Sequence, residues 1–217
     1  MKISLRSGGG LAEFAVASET MTVPRPPEVS AAEAAGLPTA ALTQPAGVKL
    51  DGTGPKKHIL ITAASGGVGH YAVQLAKLGN MHVTATCSQP QFREELRCRR
   101  GLKSPSDKKY DVVVQCARGF PWSTFEPCLS ENGMVIDLTP SPSALMTVET
   151  QKLTFSKKQL VLLYCVPTVE NLEYVVKLVK EGKLKTVIDS KYHLSKAEEA
   201  WAKIMNGHAT GKIIEEF

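Results

Sequence analysis

Residues 59–69 read Ile-Leu-Ile-Thr-Ala-Ala-Ser-Gly-Gly-Val-Gly, and no other stretch narrows the fold so far. A β-branched apolar run of strand length enters a tight turn of small residues. From Val68 the apolar residues Ala72, Leu75 and Ala76 then recur at helical spacing up to a stop at Gly79. Aligned on Gly-x-Gly-x-x-Gly, Gly66 and Gly69 fill the second and third glycine positions, and Ala64 stands at the first. Gly66 would let the backbone approach a pyrophosphate, and Gly69 would let the helix pack closely on the strand. The amides at the helix start would hold the anion, which makes Ala64, Ser65, Gly66, Gly67, Val68 and Gly69 the candidate dinucleotide loop.

The remaining pattern agrees with that unit. His82–Thr86, Tyr110–Cys116, Met134–Leu138 and Gln159–Cys165 read as further strands, apolar nearly throughout, as strands buried on both faces should be. Alternation of strands with helical segments predicts a doubly wound parallel sheet with right-handed crossovers, an α/β fold. Before it, Leu11–Val16 reads as a short strand, and Ser30 with Glu33 is a capping box opening a helix that ends near Gly36 and Pro38. After it, Leu172, Val175, Val176 and Val179 share a helix face up to Gly182. Ser195 with Glu198 is a second capping box, for a helix closed by Gly207, and Gly211–Glu215 reads as a last strand.

Composition sets outer limits. In 217 residues, 43% hydrophobic and 22% charged, there is enough apolar material for a core and no run near the roughly 20 apolar residues of a membrane-spanning helix. A net charge of +5 suits an anionic ligand or surface without demanding nucleic acid. Five dispersed cysteines, none spaced Cys-x-x-Cys, and five histidines without ligand spacing predict neither a disulfide framework nor a zinc site. No Gly-x-Ser-x-Gly supports hydrolysis.

The second strand ends in Cys87-Ser88-Gln89-Pro90-Gln91, where NAD-binding chains place a carboxylate for the ribose hydroxyl. Ser88 and Arg93 could instead receive a 2′-phosphate, so NADPH is the expected cofactor; for Arg93 and its neighbours a solvated basic segment is the alternative.

Ala63 to Gly69 resembles the nucleotide loop of the medium-chain dehydrogenase/reductases, in their zinc-free quinone oxidoreductase branch. Leu11-Ala12-Glu13-Phe14 with Ala34–Pro38 resembles that branch's approach to the loop, and Val179–Leu184, Leu194–Glu198 and Gly211–Ile214 resemble its ending. The wording of Leu50–Gly54, Gly69–Gln74 and Leu129–Gly133 is most similar to the plant chloroplast envelope group. The resemblance implies a Rossmann domain over 46–184, with 1–45 and 185–217 as the two arms of an incomplete GroES-like β domain. It implies hydride transfer from NADPH to a quinone or the double bond of an α,β-unsaturated carbonyl, with Thr139 near the nicotinamide, no metal and no obligatory protein nucleophile. It also implies a place at the periphery of the chloroplast envelope, against a cytoplasmic alternative. The chain departs from the family in lacking most of the catalytic domain and, between Ser88 and Leu102, the family's third strand. Exposed core faces would then favour association between copies, and a non-catalytic nucleotide-binding remnant is the second reading.

Overall fold

The computed structural model describes residues 10–12, 14–40, 56–87, 98–99, 102, 104, 108–163, 168–207 and 209–217. The chain divides into two compact units, one drawn from residues 1–43, 66–71 and 165–217 and the other from 44–65 and 72–164.

The second unit is built on a parallel sheet. Its strands are β1 (His58–Ile61), β2 (His82–Thr86), β3 (Cys98–Arg99), β4 (Tyr110–Gln115), β5 (Leu129–Asp137) and β6 (Gln159–Leu162), in the order β3-β2-β1-β4-β5-β6. The two-residue period of a strand decides what lies on each face. Ile59, Ile61, Val112, Val114 and Ile136 form one core cluster with Ala72, Val73 and Ala76 of α2 (Gly69–Leu78). Leu60, Val113 and Val135, their neighbours in sequence, form the other cluster with Phe125 of α3 (Trp122–Phe125) and Ala144 of α4 (Pro142–Leu153). Covering both faces is why the central runs Ile59–Ile61, Val112–Val114 and Met134–Ile136 are continuously apolar. Asp111 departs from that pattern because its carboxylate accepts the His58 amide and the Ser130 hydroxyl, both at 2.9 Å, and so ties β4 to each neighbour.

The edge position expected to be vacant is filled in part. Cys98 and Arg99 pair with Ala85 and Thr86, so a two-residue strand stands where the family's third strand would be. Strand β5 also begins earlier than its apolar run, at Leu129, through a register irregularity opposite Tyr110 and Val112.

The first unit holds α1 (Ala31–Ala40), α5 (Val169–Lys180), the parallel pair β7 (Ile188–His193) and β8 (Lys212–Glu216), and α6 (Ala197–Met205). The capping box at α1 is formed as expected: Glu33 N donates to Ser30 Oγ and Ser30 N to Glu33 Oε2, both at 3.2 Å. The helix passes through Pro38, however, instead of ending there. The box expected at α6 is not formed, because Ser195 Oγ is held by His193 Nδ1 at 2.8 Å in a 3₁₀ turn and Lys196 is the residue before the helix. The Leu11–Val16 strand is absent: the described residues of that stretch have no strand neighbour, and Leu11, Phe14 and Val16 lie exposed. Ile214, by contrast, is buried. One interior chain of hydrogen bonds stitches this unit. The Tyr71 hydroxyl meets Thr186 Oγ1 at 2.7 Å, and Thr186 Oγ1 donates to the Glu33 carbonyl at 3.0 Å. Thr186 has spent its proton, so Tyr71 donates, and burial pushes that phenol up to about 12.

Gly211 leads into β8 with φ +74, and an added Cβ would lie 2.2 Å from the Val187 carbonyl oxygen. Neither the dihedral nor the space admits a side chain. We expect Gly211→Ala to cost at least about 2 kcal/mol, lowering Tm by several degrees in a thermal melt; an unchanged Tm would show that the β7–β8 pairing is not as tight as described.

Candidate functional site

Where β1 ends, the second unit keeps bonding the chain on both sides as it turns. Thr62 N donates to Val114 O at 3.0 Å, and Thr62 Oγ1 accepts the amides of Cys116 and Ala117 at 3.0 and 3.3 Å. On the other side Ala64 N donates to Thr86 O at 2.8 Å. Between them Ala63 takes φ +48, a left-handed conformation uncommon for a residue with a Cβ. Ala64, at the first glycine position of the motif, is fully buried, with its methyl in the cluster of Ile59 and Ile61. An alanine there fills the core where a glycine would leave a gap.

The carboxyl ends of β4 and β5 lie in the same unit. The buried Asp137 carboxylate accepts the Thr139 amide at 2.9 Å, while the Thr139 hydroxyl reaches Asp137 Oδ1 and Ala117 O at 3.5 Å each. Such long contacts leave that hydroxyl available to a better acceptor. The Cys116 thiol is pushed up to about 12 by burial. The sheet thus gathers Thr62, Asp137 and Thr139 at its carboxyl ends, where ligands of open α/β sheets bind. Asp137 was not foreseen; an acid closing an otherwise apolar strand was its signal.

The remainder of the loop belongs to the first unit. The amides of Gly67, Val68 and Gly69 make no backbone hydrogen bond among the described residues, whereas His70 N and Tyr71 N bond Gly66 O and Val68 O. A ten-residue helix beginning with unused amides suits an anion. An added Cβ on Gly67 would lie 3.2 Å from Gly211 O, 3.4 Å from Lys212 Cδ and 3.6 Å from Lys212 Nζ, so the Lys212 ammonium rests against the glycine turn. Burial holds it below the usual lysine range, and no carboxylate among the described residues pairs with it. Gly67, Lys212, Ala209 and Ile204 line a groove of about 330 Å³. Sequence reasoning missed Lys212, because nothing local shows that a residue 145 positions downstream returns to the turn.

Of the expected site residues, Ala64, Ser65 and Thr139 lie in the second unit and Gly66, Gly67, Val68 and Gly69 in the first. Ser88 and Arg93 lie outside the described residues. These donors fit a dinucleotide diphosphate. They do not fit a metal: among the described residues no three His, Cys, Asp or Glu side chains gather.

His70 Nδ1 lies 2.9 Å from Gly66 O, which can only accept, so that nitrogen carries the proton. Burial pushes its pKa down from 6.5 to about 4. Between those values the unfolded chain binds more protons than the fold, so stability should fall as pH drops through that window. We expect His70→Gln to flatten the acid side of the stability profile by up to about 3 kcal/mol, read from melts across the window. A slope equal to the parent's would contradict this account of the turn.

The chain matches the family model described as zinc-binding dehydrogenase over residues 78–214. It is 62% identical to the chloroplast envelope quinone oxidoreductase homolog of Arabidopsis thaliana and 63% identical to the chloroplastic quinone-oxidoreductase homolog of Spinacia oleracea. Each match covers 99% of this chain and 70% of that protein. Among solved structures, the quinone oxidoreductase from Coxiella burnetii superposes with a TM-score of 0.80 at 27% identity, over 93% of this chain and 65% of that one. The quinone oxidoreductase from Thermus thermophilus, solved also as its complex with NADPH, gives 0.76 at 22% identity, over 96% and 74%. Sheet order, glycine turn and likeness agree: the chain belongs to the zinc-binding dehydrogenase family of medium-chain dehydrogenase/reductases, among the chloroplast envelope quinone oxidoreductase homologues.

Proposed function

We propose that the chain is an NADPH-dependent oxidoreductase that passes hydride to a quinone or to the double bond of an α,β-unsaturated carbonyl. The observation that carries this reading is the glycine turn, with three amides bonded to no backbone carbonyl among the described residues and the Lys212 ammonium against it. Relatives named as quinone oxidoreductases supply the substrate class. NADPH, when bound, supplies the hydride. The chain's own residues bind and orient: the Gly67–Gly69 amides and Lys212 hold the diphosphate, Ser88 and Arg93 receive the 2′-phosphate, and the Thr139 hydroxyl donates near the nicotinamide. Asp137 fixes the Thr139 backbone and so keeps that hydroxyl in place.

The domain reading is part of the proposal, with 46–184 as the dinucleotide domain and 1–45 and 185–217 as arms of a GroES-like domain. One observation favours the second reading, a nucleotide-binding remnant without turnover: among the described residues, 14–18 form no strand where the substrate-side arm is expected to supply one. Placement at the chloroplast envelope periphery is part of the same proposal, supported by a relative named as a chloroplast envelope protein; the described residues hold no helix long and apolar enough to cross a membrane.

Cofactor titration followed by nicotinamide fluorescence should show NADPH binding more tightly than NADH, and Lys212→Met weakening NADPH about tenfold or more. Equal affinity for both cofactors would remove Ser88 and Arg93 from the site. Turnover with a panel of quinones and enones separates the two readings, since binding without turnover is what the remnant predicts.

A further inference from the structure

Three of the parallel strands are entered through the same dipeptide. Lys56-Lys57 precede β1, Lys108-Lys109 precede β4, and Lys157-Lys158 precede β6. Ile59 stands opposite Val112, Val112 opposite Met134 and Met134 opposite Gln159, so the three pairs emerge along one edge of the sheet. That edge is the one away from the strands' carboxyl ends. Lys109 donates to the Pro127 carbonyl, Lys158 to the Glu126 carbonyl at 2.8 Å, and Lys157 pairs with Glu131. Lys56, Lys57 and Lys108 have no carboxylate partner among the described residues. Among the described residues, the acids near this edge are Asp111, already committed to the His58 amide and the Ser130 hydroxyl, Glu126, Glu131, and Glu149, which pairs with Lys152. Among the described residues, ammonium groups therefore outnumber carboxylates along it.

An apolar tip accompanies this charge. In the turn from α4 to β6, Leu153 is 81% and Phe155 91% exposed. Phe155 has φ +50, where a bulky aromatic is a genuine outlier. The turn is pinned about it: Thr154 N and Oγ1 donate to Thr150 O at 3.0 and 2.9 Å, Ser156 N to Gln151 O at 3.1 Å, and Ser156 Oγ to Lys158 O at 2.8 Å. The fold thus holds a strained, solvated aromatic outward, between Lys152 and Lys157, where asparagine or glycine would be more stable.

We propose that this edge is a docking face for an anionic lipid surface, the lysine pairs meeting headgroup phosphates while Leu153 and Phe155 enter the interface. Reversible peripheral binding combines charge and a modest apolar insertion, and each feature alone is weak. The proposal assigns a surface to the envelope association proposed above and rests on that association, but the two can fail separately.

Flotation of the full chain with vesicles tests it. Vesicles of phosphatidylcholine with one-third phosphatidylglycerol should bind the chain at least about tenfold better than phosphatidylcholine alone, with binding lost in high salt. Lys56→Glu with Lys108→Glu should reduce that binding about tenfold or more, while Lys180→Glu with Lys196→Glu, an equal change of charge in the other unit, should leave it nearly intact. Phe155→Asn removes the ring and suits the left-handed backbone, so it should bind about fivefold more weakly with Tm unchanged or raised. Equal losses in the two charge variants would show a net-charge effect and overturn the face. So would full vesicle binding by Phe155→Asn together with loss of self-association on a sizing column, which would make a second copy the occupant. Preference for a DNA duplex over the anionic vesicles would also overturn it. A parent chain that binds no vesicle overturns both this face and the envelope association; a parent that binds while every rim variant still binds overturns the face alone.

Discussion

A strand paired on both sides and covered on both faces has no solvent to fall back on, and β1 is that strand. Its amides and carbonyls are consumed by β2 and β4, and Ile59, Leu60 and Ile61 are fully buried. The only way out is at its ends. At the carboxyl end the Thr62 hydroxyl takes two amides of the chain leaving β4, and Ala64 returns a bond to the end of β2, so the turn starts from a fixed point. The positions of Thr62 and Ala64, where the chain enters the turn, are therefore a consequence of core packing against a strand that cannot shift.

How much was legible follows from where each signal is stored. The short β-branched apolar runs of β1, β2 and β4, and the helical period of α2 and α5, are local and strong, so elements and fold class followed from them. Capping boxes are local as well, yet only one formed. Ser30 has no competitor for its hydroxyl, whereas His193, two residues before Ser195, takes that oxygen and a 3₁₀ turn displaces the helix start. Helix α4 went unread although Ser141 caps it and Pro142 occupies its first position, because its mixed face carries little periodicity. Lys212 and Asp137 depend on which strands become neighbours, and only the folded sheet supplies that.

The first unit illustrates the opposite balance. A two-stranded parallel sheet has little stability of its own, and here small residues and buried polar contacts compensate. Gly36, whose added Cβ would lie 2.7 Å from Thr186 Cγ2 and 2.9 Å from the Tyr71 hydroxyl, lets α1 approach closely enough for the Tyr71–Thr186–Glu33 chain to close. Asp189 plays a similar part beside β7. Burial alone would raise its carboxyl, but Lys203, the Thr210 amide and Ser190 together hold it below the ordinary range, keeping it an acceptor. Specific contacts set this unit's geometry where the larger sheet relies on apolar area.

The burial of Cys116 bears on chemical self-protection. Quinones and α,β-unsaturated carbonyls, the substrate class proposed above, are electrophiles that alkylate thiolates. Burial pushes the Cys116 pKa up to about 12, so the group stays a thiol at neutral pH. The thiol lies just beyond β4, at the carboxyl end of the sheet. Were the proposed electrophiles bound there, the apolar packing that anchors the strand would also keep this thiol from ionising.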